Sequence, residues 1–133
     1  MKIKIFFITH IFLIPFIAFW MYYFHYYFTF QDYNPLIGRN IFHFFSSIFI
    51  MYVFTFLMIR KNNIFTLNEI VPGMYIIVIL SLFWEVLIQP LKRFLNNELV
   101  YIQFDQIVSD LLGMLFAYLL LKTILKIKIL PSW

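Results

Sequence analysis

Residues 80–89 read LSLFWEVLIQ. A carboxylate, Glu85, sits in a run apolar enough for lipid. An ionised side chain turned toward acyl chains near mid-membrane costs at least about 2.5 kcal/mol. Glu85 is therefore expected to point into a helical bundle, close to water and among partners. The cost falls near the interface. The rest of the chain provides the helices such a bundle needs. Of 133 residues 64% are hydrophobic and 23% aromatic, and only 12% are charged. A soluble domain of this length needs far more polar surface. The expectation is an all-α integral membrane bundle, one transmembrane domain over residues 1–133.

Spanning a bilayer takes about 20 apolar residues in a helix. Four segments qualify, at about 5–28, 41–59, 70–88 and 107–125. The separators carry the breakers and charges, Pro35 and Gly38 in the first and Pro90 in the last. Pro15 is expected to kink the first span, and Pro72 to sit in a first turn, where its missing N–H costs little. The N-terminal lysines Lys2 and Lys4 precede an apolar run longer than a signal h-region, which reads as a retained signal anchor. Lys2, Lys4, Arg60, Lys61, Lys122, Lys126 and Lys128 fall on one side, and Arg39, Lys92 and Arg93 on the other. That asymmetry predicts cytoplasmic termini and a multi-pass protein of a bacterial cell membrane. Basic residues standing singly or in pairs between apolar runs orient a chain in lipid and do not form a nucleic-acid surface. With no cysteine in the sequence, disulfides and thiolate metal sites are excluded, and no cofactor is expected.

This topology brings polar groups from all four spans to the outer level. Glu85 ends the third span, Asp110 begins the fourth, His43 opens the second and His25 closes the first. At about 1.5 Å rise per residue, each lies within one or two turns of the boundary. Ser81, Glu85 and Gln89 form one helical stripe, and Gln106, Asp110, Gly113 and Ala117 another. Gly113 and Ala117 are a small-xxx-small pair that admits a neighbouring backbone, and His43 with Ser47 extends the pattern. Each residue also has a plainer reading. Glu85 and Asp110 serve equally as register partners, Glu85 for Arg93 or His43. Asp105 reads as an N-cap, Lys92 and Arg93 as snorkelling cations, His10 as a lone polar residue of the first span and His25 as interfacial filler in an aromatic belt.

Taken in order, these residues resemble the VanZ-like family of small bacterial membrane proteins, over roughly residues 37–120. GRNIFHFFSSIF is similar to the family's Asp-Lys-x-x-His-Phe opening of a helix, matching His43. WEVLIQPLKRF is similar to its Glu-x-x-Gln followed by Arg, matching Glu85, Gln89 and Arg93. FDQIVSDLLGMLFAYLL is similar to its Asp-x-x-x-Asn-x-x-Gly segment, matching Asp110 and Gly113. Arg39 and Asn40 stand where Asp and Lys are usual, and Gln106 where Asp is, unless Asp105 takes that role. The Glu-to-Gln spacing is one residue longer here.

The resemblance implies a cell-envelope protein of the kind linked to low-level teicoplanin resistance. Its outward-facing pocket would bind a lipid headgroup or lipoglycopeptide, with His43, Glu85, Gln89, Arg93 and Asp110 as substrate-binding residues and membrane lipids as partners. Arg39, Lys92 and Arg93 would supply positive charge at the rim. One alternative is a structural or assembly subunit packed against other membrane proteins. Another is an enzyme using Glu85 or Asp110 with His43 as acid and base on a lipid-linked substrate. No HExxH-like metal spacing, phosphate loop or nucleophile motif stands in its favour.

Overall fold

The computed structural model describes residues 2–28 and 35–126, less the side chains of 2–4, 6, 21, 22, 24–28, 35–37 and 126. The side chains of Lys2, Lys4, His25 and Lys126, and the whole of Lys128, thus lie outside the described residues. The described chain is helical, with no strand: α1 (Lys2–Phe28), α2 (Pro35–Asn62), α3 (Leu67–Leu82), a π segment (Phe83–Ile88), α4 (Gln89–Leu95) and α5 (Phe104–Lys126). Three stretches are long and apolar enough to cross a membrane: Gly38–Asn62, Leu67–Leu95 and Phe104–Leu125. The apolar part of α1, Phe7–Trp20, is shorter. This is the architecture of a multi-pass membrane protein.

α2 is the central helix, packed on α1, α3 and α5, and α3 also touches α5. Its inward face buries Ile48, Met51, Tyr52 and Ile59. Against them lie Phe7 and Ile14 of α1, Ile70 and Ile77 of α3, and Ala117 and Leu121 of α5. Phe7 meets the Tyr52 ring edge-on at 5.8 Å, and His10 stacks on it at 5.2 Å. α2 and α5 come into close backbone contact at Gly113, where a Cβ would run into the backbone carbonyl of Phe44. Between apolar helices in lipid, such close backbone contact replaces the hydrophobic effect as the source of association. The outward faces stay apolar, as lipid contact requires: Phe12, Phe16, Tyr75, Ile79 and Leu112 are all exposed.

Polar residues mark the helix ends. Thr66 and Glu69 form a capping box at the start of α3. Both asparagine pairs end helices with the second residue left-handed, Asn63 at φ 56° and Asn97 at φ 55°. After α4 the Asn97 N–H bonds Phe94 O and the Glu98 N–H bonds Arg93 O. This double closure satisfies carbonyls that a helix end leaves open.

Three expectations need correction. The third span does not stop at residue 88; it runs on through Pro90 to Leu95. Proline lacks the N–H for a four-back bond, and its ring crowds that carbonyl. The π segment before it shifts bonding to five residues back, with the Gln89 N–H on Trp84 O, and the helix passes the proline. Pro72 is inside α3, in its second turn, because the capping box starts the helix earlier than expected. Asp105 is not the N-cap of α5; it lies within the first turn, and Gln103 occupies the cap position and accepts from the Gln106 and Ile107 N–H groups.

Candidate functional site

Asp110 is the fixed point of the site. Ser47 of α2 donates to its Oδ1 at 2.9 Å, and Ser81 of α3 donates to its Oδ2 at 2.6 Å. His43 Nδ1 lies 3.1 and 3.2 Å from the two oxygens. A carboxylate only accepts, so it selects the tautomer with the proton on Nδ1. Three helices thus converge on one acid, and its lone pairs are filled. Gly113 makes this possible: the bare backbone one turn along lets α5 close onto α2.

From this level the three helices can be followed toward the α4 end, one turn at a time. The first step runs from Ser47 to His43, from Ser81 to Glu85 and from Asp110 to Gln106. Glu85 and Gln106 are buried, at 0% and 1% exposure. His43 Nε2 stands 3.8 Å from Glu85 Oε1, an ion-pair separation and too long for a hydrogen bond. The second step reaches Asn40 and Gln103, and Arg93 stands two turns beyond Glu85. The Arg93 guanidinium lies over the Tyr101 ring, 3.5 Å from its centroid, the geometry of a cation–π contact.

The π segment explains how Arg93 comes to be here. Eight residues of α-helix would leave it about 80° around the axis from Glu85. A π turn absorbs one residue and returns it to roughly the same face. Arg93 is accordingly buried, on a helix where a loop was expected, and it does not snorkel. Arg39 and Lys92 are exposed.

His43, Ser47, Ser81 and Asp110 open into a groove of about 500 Å³ between α2 and α3. Its walls are apolar, made by Phe42, Ile50, Ile77, Leu80, Phe83 and Trp84. On the other flank of α2 lies a second groove of about 310 Å³, between Pro15, Ala18 and Phe19 of α1 and Phe42, Phe45 and Phe49. Ser46 and Phe42 form the ridge shared by both.

Of the five residues expected at the site, His43, Glu85 and Asp110 are brought together, and Arg93 is buried at the same end. Gln89, half-buried at the π boundary, is not part of the hydrogen-bonded group around Asp110. Ser81 had its place in the expected stripe, but Gln103 and Tyr101 did not stand out. The only signal for Gln103 was its spacing: 103, 106, 110, 113 and 117 continue one helical stripe outward. Among the described residues no three His, Asp or Glu side chains are placed to hold a metal ion. No protein-family model, curated protein or solved structure matches the chain.

Proposed function

We propose that the chain is a VanZ-like integral membrane protein of the bacterial cell envelope that binds an amphiphile in an outward-facing pocket. In this reading α1 is a fourth span, both termini are cytoplasmic, and the α4 end of the bundle faces outward. The excess of Lys and Arg at the opposite loop and termini supports that orientation. The amphiphile is a membrane lipid or a lipoglycopeptide, its chain in the groove and its headgroup at the polar end.

One observation carries the proposal: Ser47, Ser81 and His43 meet on Asp110 at the base of an apolar groove open along the helices. Concave, mostly apolar sites with a few convergent polar groups are what amphiphilic ligands occupy. The family resemblance gains support from position. His43, Glu85 and Asp110 lie in one cluster, and the π segment absorbs a residue where the Glu-to-Gln spacing is longer.

Filling the groove tests the reading. Ser46 borders both grooves, and Ser46→Trp should strip co-purifying lipid from the protein when its mass is measured intact in detergent. Equal lipid retention in folded wild type and variant overturns the reading.

A second reading, acid–base chemistry on a lipid-linked substrate, is favoured by Asp110 holding the His43 Nδ1 proton, which leaves Nε2 as a base. Release of a water-soluble product from labelled bilayer lipids by wild type and not by His43→Gln would establish it. No turnover by wild type ends it.

A further inference from the structure

Seven buried polar atoms at the α4 end have no hydrogen-bond partner: Asn40 Oδ1, Glu85 Oε1 and Oε2, Arg93 Nη1, Gln103 Oε1 and Nε2, and Gln106 Nε2. They are of two kinds. Arg93 Nη1 and the two glutamine nitrogens are donors seeking acceptors. The Glu85 oxygens, with those of Asn40 and Gln103, are acceptors seeking donors. They come from the same end of α2, of the α3–α4 helix and of α5, yet they do not satisfy one another. No ion pair joins Glu85 to Arg93, and the nearest ring nitrogen, Nε2 of His43, stands 3.8 Å from Glu85 Oε1. Complementary groups held apart in this way call for a ligand that brings both a donor and an acceptor. Natural proteins rarely leave buried polar atoms unpaired, and an unneutralised charge in a low-dielectric interior is costlier still.

We propose that these five residues are the recognition site for a headgroup carrying both an ammonium and a phosphate, the phosphoethanolamine class. The ammonium donates to Glu85, with Asn40 and Gln103 oxygens at its side. The phosphate accepts from Arg93 and from the amides of Gln103 and Gln106. Water would fill the hydrogen bonds but would not neutralise the carboxylate and guanidinium, whereas a zwitterion does both. An anionic headgroup without an amine would leave Glu85 unpaired against a nearby phosphate. Asp110 takes no part, since Ser47, Ser81 and His43 already occupy it. This inference rests on the amphiphile-binding reading and adds the class of headgroup.

The test measures retention of phosphatidylethanolamine and phosphatidylglycerol with matched acyl chains by the intact protein in detergent, with soluble glycerophosphoethanolamine as a separate arm. Wild type should prefer phosphatidylethanolamine about tenfold, the equivalent of about 1.4 kcal/mol, and Glu85→Gln should abolish the preference with a thermal midpoint no lower than that of wild type. Glu98→Gln, exposed in the loop beyond α4, should leave the preference intact. Binding of soluble glycerophosphoethanolamine assigns the headgroup to the site irrespective of chains, and binding of the lipid alone assigns it to the bilayer source. Equal retention of both lipids, or an undiminished preference in Glu85→Gln, overturns the inference. If lipid is still lost in Ser46→Trp, that result leaves the groove reading standing.

Discussion

Glu69 and Glu85 lie on one continuous helix, Leu67–Leu95, and both are buried, at 1% and 0% exposure. Their surroundings are opposite. Glu69 accepts from the Thr66 N–H at 2.8 Å, from the Thr66 hydroxyl and from Asn62 Nδ2 at 3.1 Å. It closes a capping box and ties the end of α2 to the start of α3. Glu85 accepts from nothing. A buried acid whose oxygens are all filled holds a fold together. One left unfilled is a cost to the fold, and that cost points to a role outside stability. Asp110 sharpens the contrast, because it is filled like Glu69 but stands one turn from Glu85.

The contrast can be broken most directly at Asp110. Asp110→Ala strands two serines and a histidine and should cost about 3–5 kcal/mol, read as a drop in unfolding midpoint in detergent. A cost near zero would show that filled lone pairs are not what separates the acids. Next is Gly113→Ala, which forces a methyl against the Phe44 carbonyl and should cost about 1–3 kcal/mol by parting α2 from α5. Gly73→Ala is its control. There the nearest atom is the flexible Met51 sulfur at 3.1 Å, and helix propensity offsets the crowding, leaving a change within about 1 kcal/mol.

Glu69→Ala removes the capping box and should cost about 1–2 kcal/mol. Hydrogen exchange should show the loss in the first turn of α3. Last is Glu85→Gln, which breaks no hydrogen bond and removes an unpaired buried charge, and should leave stability equal or higher. If it costs as much as Glu69→Ala in the same unfolding assay, the distinction between the two glutamates fails.

Much of this was legible in the sequence, because burial in lipid imposes helices and helices impose spacing. The run of Gln106, Asp110, Gly113 and Ala117 faces inward as its period requires, and all four are buried. The Thr66-x-x-Glu69 pattern before an apolar run was an available signal for the true start of α3, and a segment treated only as a polar separator concealed it. Arg93 was named from the sequence, but its burial on a continuing helix was not legible. Proline at 90 reads as a stop, and only the π segment carries the helix past it and turns the guanidinium inward.

Composition and period alone determined an all-α bundle of apolar helices, with acids and a histidine that had to be sheltered. Those properties follow from local spacing and from the energy of charge in lipid. Tertiary structure decided which acid is satisfied and which is not. That outcome depends on distances between side chains of different helices, set by where Gly113 lets two backbones meet and where a wide turn rotates the third. A one-dimensional pattern places residues on a face; it does not measure the gap between Glu85 and Arg93.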